Sequence, residues 1–213
     1  MVVTPAHQAH PLTQNMVKIG EGKYRLVFKK GTRALKIMKD RVMKNYGPIS
    51  ICFPTELYVK YSFGISDFNK FEKRVYDEFI QKVPNEFKNR FVEIYSTGKF
   101  NGKSFSLSEL IVNDDGNLSL PLSQNSGIKC FDFWKRIREL EEILIEEHIP
   151  LVDLHGKNIL VRKKEGKQIP VLIDFKIYGR ITCPGQPWLR SEKKLAEKIH
   201  RKIQRLRNDY LTC

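Results

Sequence analysis

Asp153, Asn158 and Asp174 fall within the stretch Leu151–Phe175, LVDLHGKNILVRKKEGKQIPVLIDF. An Asp is followed five residues later by an Asn that opens an apolar strand, and a second Asp closes another apolar strand. Phosphoryl transfer from a nucleotide asks for metal ions bridging the phosphates and a carboxylate near the incoming hydroxyl, with little covalent chemistry from the protein itself. Magnesium takes oxygen ligands, usually one or two carboxylates together with phosphate oxygens, so Asn158 and Asp174 are suitable ligand types. Asp153 is then left to orient or deprotonate an acceptor. The arrangement requires Val171–Ile173 to return as the hairpin partner of Ile159–Val161 across a polar, glycine-containing turn at Lys163–Lys167, bringing the three side chains to one end of the hairpin.

Other elements must supply the phosphate side of such a site. Lys18–Phe28 carries Gly20 and Gly22 followed by alternating apolar positions, which suits either a hairpin lying over a nucleotide or an ordinary turn. Arg25 stands where a three-glycine phosphate loop has its last glycine. Downstream, Ala34–Met38 places Lys36 inside an apolar strand, where an ammonium without a partner is costly, so an anionic partner is expected. The spacing predicts a helix over Ser66–Val83, capped by Ser66 or Asp67 and stopped by Pro84, with Phe68, Phe71, Val75, Phe79 and Tyr76 forming its apolar stripe. Glu72 lies beside that stripe and can point at the sheet and pair with Lys36. Asp77 and Glu78 compete for that role, and Glu72 can instead be a solvated residue paired with Lys70 or Lys73.

The order of glycine pair, strand lysine, helix glutamate, Asp153 to Asn158, and Asp174-Phe175 resembles the protein-kinase-like fold from about Met16 to Arg207. More narrowly, the chain resembles the small bacterial family called PhoP regulatory network protein YrbL. The residues carrying that likeness are Gly20-Glu21-Gly22, Ala34–Ile37, Glu72–Tyr76, Asn158–Leu160, Gln168–Val171 and the basic Leu189–Leu206 segment. The resemblance implies an α+β, two-lobed fold, with a small antiparallel-sheet N-lobe and a reduced, mainly helical C-lobe. It implies that Gly20 and Gly22 cover a triphosphate, that Lys36 contacts its phosphates and that Glu72 holds Lys36. Asp153 would be the catalytic Asp, with Asn158 and Asp174 as metal ligands. Leu107–Val112 is similar to the strand that enters the hinge between lobes, so the backbone around Glu109 and Ile111 would read an adenine edge, and Asn113–Gly116 is a plain turn after it.

His155 bears on the branch. Asp-x-His-x-x-Asn, here Asp153–Asn158, resembles kinases of aminoglycosides, choline and lipopolysaccharide sugars more than protein kinases, which favours a hydroxylated small molecule or glycolipid as acceptor. His155 either takes part directly or braces the loop by hydrogen bonding. Three departures favour the competing reading of a pseudokinase: Leu151 replaces the usual loop histidine, Lys176 replaces the glycine after Asp174-Phe175, and residues 175–213 are too few for a protein-substrate platform.

Composition fits a soluble globular chain, with 41% hydrophobic and 29% charged residues over 213 positions. No apolar run approaches the length of a membrane span and 1–15 lacks a signal-peptide core, so a cytoplasmic protein is expected, with peripheral association at the inner membrane as a variant. Four scattered cysteines and five histidines show no ligand spacing, so neither a zinc site nor a disulfide framework is indicated; ATP with Mg2+ or Mn2+ is the expected cofactor. A formal charge of +14 favours polyanionic partners: nucleotide, an anionic membrane face, or nucleic acid. Much of it sits on a helix expected over Ser191–Tyr210, with Leu195, Ile199, Ile203 and Leu206 on one side. That helix packs on the larger lobe, or also contacts membrane or RNA. A further helix is expected over Phe131–His148, capped by Asp132. The expected organisation is a flexible segment 1–15, an N-lobe 16–111 interrupted by an insert at 40–65, and a C-lobe 112–213.

Overall fold

The computed structural model of the chain describes residues 16–22, 24–39, 67–125, 128, 131–149, 153–175 and 192–211. The expectations for 1–15, for the 40–65 insert, and for Ser66, Leu151, Lys176 and Leu189–Ser191 lie outside those residues.

The N-terminal half is a five-stranded antiparallel sheet in the order β1-β2-β3-β5-β4. Its strands are β1 Val17–Glu21, β2 Arg25–Lys30, β3 Arg33–Met38, β4 Ile94–Phe100 and β5 Lys103–Glu109. Central β3 is buried from Ala34 to Ile37, with Leu35 facing opposite to Lys36 because side chains alternate along a strand. In register, Val27 and Ser106 flank Lys36 on either side. The face of the sheet bearing Lys36, Ser104 and Ser106 is therefore unusually polar for an interior surface.

Helix α1, Phe68–Glu78, covers that face. Asp67 caps it, its side chain accepting from the backbone N–H of Asn69 at 2.9 Å and of Lys70 at 3.4 Å. The buried positions Phe68, Phe71, Glu72 and Val75 follow helical spacing, so Glu72 occupies a core-facing position. The helix is shorter than the sequence pattern suggests. It ends at Glu78 and gives way to 3-10 turns at Ile80–Lys82 and Asn85–Arg90 on either side of Pro84. The tighter winding lets Ile80 and Val83 reach the core ahead of the proline.

The C-terminal half is mainly helical around a small sheet, β6 Leu120–Pro121, β7 Ile159–Lys164 and β8 Lys167–Leu172. The β7-β8 hairpin is longer and its turn tighter than expected: only Glu165 (φ 51°) and Gly166 (φ 69°) join the strands, both left-handed as a two-residue hairpin turn demands. Pro170 is tolerated because β8 is the sheet edge. The Asn113–Gly116 turn docks on this hairpin, Asn113 Oδ1 accepting from Lys163 N at 2.9 Å and Asp114 N donating to Lys163 O at 3.0 Å.

Helix α2, Phe131–Glu146, buries Phe133, Trp134, Ile137, Leu140, Ile143 and Leu144. Asp132 lies within its first turn and not at the cap, where its charge still suits the helix N-terminus. The helix stops two residues short of His148, which turns the chain with φ 50°. Helix α3, Glu192–Tyr210, lays Leu195, Ile199, Ile203 and Leu206 on the core and packs against α2. One apolar cluster runs from Phe68 and Phe71 through α2 and the hairpin to α3, so sheet, hairpin and helices share a core. No helix among the described residues is long and apolar enough to cross a membrane.

Candidate active site

Asn158 closes the loop that opens at Asp153 and leads into β7. Its side-chain amide donates to Asp153 O at 3.0 Å and to Asp153 Oδ2 at 3.2 Å. With the amide nitrogen committed there, the side-chain oxygen, the atom able to ligate a metal, is turned to the other side. Across the hairpin, Ile173 N donates to Asn158 O at 3.0 Å, which sets Asp174 immediately beside Asn158. Asp153, Asn158 and Asp174 thus come together at one end of the hairpin.

Phe175 fixes the second acid. Its ring is fully buried, stacks on Tyr76 of α1 at 6.0 Å between centroids and lies 6.4 Å from Phe91. Helix α1 and the end of β8 are therefore joined by aromatic packing next to Asp174, which holds Glu72 and Asp174 in a fixed relation.

Glu72 is 1% exposed and turned inward. Its Oε1 accepts from Lys36 Nζ at 2.8 Å, and Lys36 also donates to Ile173 O at 2.7 Å. Asp77 and Glu78 face outward instead, paired with Lys73 and Arg74 one helical turn away. Burial drives the Lys36 ammonium below the ordinary lysine range, with Glu72 opposing the shift and Arg25 adding to it. Burial also pushes the Glu72 carboxyl up, but the fields of Arg25 and then Lys36 overcome that, and the group stays below its ordinary value.

Arg25 is the residue that sequence reasoning missed. In the sequence it stands out only as the replacement for a glycine. Its guanidinium is buried between the sheet and α1, with Nη1 on Glu72 Oε2, Nη1 on Asn69 Oδ1 at 3.3 Å and Nη2 on Asp174 Oδ2 at 3.2 Å. Burial disfavours its charge, but Glu72 and Asp174 more than compensate, and it holds its proton more tightly than an ordinary arginine. Asn69 is itself completely buried and passes the network on, through Ser104 Oγ at 3.1 Å and Ser106 Oγ at 3.3 Å. The serine alternation at 104, 106 and 108 was the available signal, since small hydroxyls on one strand face mark a polar interior surface.

The remaining predicted residues sit around this cluster. Gly20 lies near the end of β1, paired with Val27 just after a bulge between Lys18 and Gly20, and Gly22 lies in the β1-β2 turn, its N donating to Arg25 O at 2.8 Å. Neither has positive φ, and a side-chain carbon at either would meet nothing closer than 3.7 Å. Their local geometry does not demand glycine. Glu109 ends β5, its N–H donating to Glu93 O at 2.8 Å and its carboxylate paired with Arg162 of β7. Ile111 is buried, and its carbonyl accepts from Ser119 N at 3.0 Å. His155 Nδ1 accepts from Lys157 N at 3.2 Å, which assigns the ring proton to Nε2, 3.6 Å from Asp153 Oδ1. At this distance His155 braces the loop and contributes a dipole toward the acid. The helix α3 terminus closes the far side of the loop, where Tyr210 abuts Gly156.

The donor set fits a nucleotide with a divalent cation: a buried lysine for phosphates, an amide oxygen and a carboxylate for a hard metal, and a further carboxylate for an acceptor proton. Among the described residues no three His, Cys, Asp or Glu side chains gather into a metal cluster, so a metal held by Asn158 and Asp174 would need phosphate oxygens to complete its shell.

No protein-family model and no curated protein matches the chain in sequence. Solved structures do match in fold. A form of the Mycobacterium tuberculosis PknI kinase domain superposes with a TM-score of 0.51 at 12% identity, over 91% of this chain and 73% of that one. Rad53, solved in complex with AMP-PNP, gives a TM-score of 0.52 at 12% identity over 90% of this chain and 46% of that one. At such identity the likeness establishes a protein-kinase-like fold and nothing finer.

Proposed function

We propose that the chain binds a nucleotide triphosphate with magnesium in the cleft between sheet and hairpin, and transfers its terminal phosphoryl group to the hydroxyl of a small molecule, sugar or glycolipid. The observation that carries this reading is the meeting of Lys36, Glu72 and the hairpin end at one point: Lys36 donates both to Glu72 and to Ile173 O, one residue before Asp174. A bound metal-nucleotide supplies an activated phosphoryl group. Lys36, oriented by Glu72, neutralises phosphate charge in a buried setting where that interaction is strong. Asn158 and Asp174 would hold the metal, and Gly20 and Gly22 would let the β1-β2 turn close over the phosphates. The backbone around Glu109 and Ile111 would take the base.

Asp153 receives the acceptor hydroxyl's proton. Its carboxylate is oriented by Asn158 and faced by His155 Nε2, so it is held in position while partly open to solvent. A groove of about 480 Å³ is lined by Leu118, Leu120 and Val161 together with the polar Asn113, Asp115, Asn117, Asn125 and Lys163, a mixed surface, and its neighbouring turn touches the loop through Ser123 N to Gly156 O at 3.0 Å. The chain's resemblance to the YrbL family supports a bacterial regulatory setting. Residues 16–111 and 112–213 would serve as the two lobes. A pseudokinase is the second reading, favoured by one observation: the Arg25 ion pair to Asp174 occupies a carboxylate that catalysis needs.

Thermal unfolding tests the first reading. Mg-ATP should raise the melting temperature of the wild type by mass action, Asp174→Ala should abolish the shift, and Asp153→Ala should retain the shift but lose turnover. No shift at millimolar Mg-ATP contradicts nucleotide binding, and a shift without turnover across a panel of hydroxylated acceptors favours the pseudokinase.

A further inference from the structure

Arg25 and Asp174 lie 149 positions apart in sequence, yet the guanidinium bonds the acid at 3.2 Å from within a buried pocket. Two cations, Arg25 and Lys36, face two anions, Glu72 and Asp174, so the cluster is already neutral. A divalent ion arriving alone would meet a carboxylate that a cation has claimed, in surroundings that would become strongly positive. Nucleotide changes the balance, because its phosphate oxygens can take the planar guanidinium fork in place of Asp174.

We propose that Arg25 is a tethered cation holding the metal's place at Asp174, so that free divalent metal is excluded and enters only together with a phosphate ligand. The inference rests on the reading of this cleft as a metal-nucleotide site. The substitution of arginine for a loop glycine then has a physical use: the same side chain guards the acid when the cleft is empty of phosphate and binds phosphate when it is filled. Asn69 and Glu72 remain within reach of the guanidinium as it turns, so it is never buried without a partner.

The test is direct titration with Mn2+ alone, followed by electron paramagnetic resonance of the free ion. Wild type should bind Mn2+ weakly, and Arg25→Gln should bind about tenfold or more tightly, since removing the internal competitor raises the fraction of competent sites. Adding Asp174→Asn to Arg25→Gln should return affinity to the wild-type level. Arg25→Lys keeps the charge and should keep the exclusion, which provides a reading if Arg25→Gln does not fold. Equal Mn2+ affinity of wild type and Arg25→Gln overturns the proposal, as does tight Mn2+ binding by wild type that Asp174→Asn abolishes. If Mg-ATP fails to bind while Arg25→Gln still gains Mn2+ at Asp174, the nucleotide reading falls and the place-holding role stands. If Mg-ATP binds and Arg25→Gln gains nothing, the reverse holds.

Discussion

Replacing Glu72 by Gln removes the negative charge that Arg25 and Lys36 share while keeping the side chain's shape. Glu72 is 1% exposed, so water cannot replace the lost charge. Breaking a buried ion pair from one side costs about 3–5 kcal/mol, because the partner is left as an uncompensated buried charge. Two features place the expected loss at the lower end. Arg25 keeps Asp174 at 3.2 Å, and Lys36 keeps Ile173 O at 2.7 Å. A loss of about 3 kcal/mol is a large share of the 5–15 kcal/mol that holds a typical domain folded, and urea denaturation monitored by circular dichroism resolves it readily. Adding Lys36→Met removes one of the stranded cations, so the double variant should cost less than the sum of the two single changes by about 1 kcal/mol or more. The pH profile supplies an independent arm. The folded-state Glu72 carboxyl titrates below its ordinary value of 4.5, so its contribution is complete above pH 4.5 and is lost as pH falls through the depressed folded value. Glu72→Gln should flatten the stability profile in that acidic window. A cost under about 1 kcal/mol with an unchanged acid slope would refute the buried cluster as described.

Gly20→Ala and Gly22→Ala should fold with stability near wild type, since an added carbon finds only ordinary contacts, and should weaken nucleotide affinity if the turn closes over phosphates; titration calorimetry reads both. Gly98→Ala should destabilise by about 1–3 kcal/mol, the usual cost of overpacking, because the new carbon would lie 2.8 Å from the Phe105 ring that covers this glycine across the β4-β5 pair. Gly156→Ala would collide with Tyr210, 2.5 Å from its hydroxyl, so it should lose stability in chemical denaturation and regain part of it when combined with Tyr210→Ala. Full additivity of that pair would show that the end of α3 does not support the Asp153–Asn158 loop.

Local pattern made much of the molecule legible. Apolar stripes with helical spacing located the three α-helices among the described residues, and the run from Ile159 to Leu172 announced its hairpin, because periodicity of hydrophobic residues is a property of the chain itself. Boundaries were less so: Phe79 to Val83 carries the same stripe as α1 but winds as a 3-10 turn, a choice set by how the chain reaches Pro84. At the site, Asp153, Asn158 and Asp174 stood out because they lie close in sequence at the ends of two strands. Arg25 and Asn69 did not. An arginine at the start of an alternating strand and an asparagine in the first turn of a helix both read as surface residues. What buries them is tertiary: acids at separations of 47 and 149 positions, and serines brought across from β5.

Hydrogen exchange of the full chain with and without Mg-ATP tests the convergence of these groups most directly. The account predicts slowed exchange confined to Val17–Lys30, the segment around Lys36, Glu109–Ile111 and the Asp153–Phe175 hairpin, with helix α3 unchanged. Protection absent from those segments, or restricted to the basic helix α3, would contradict it.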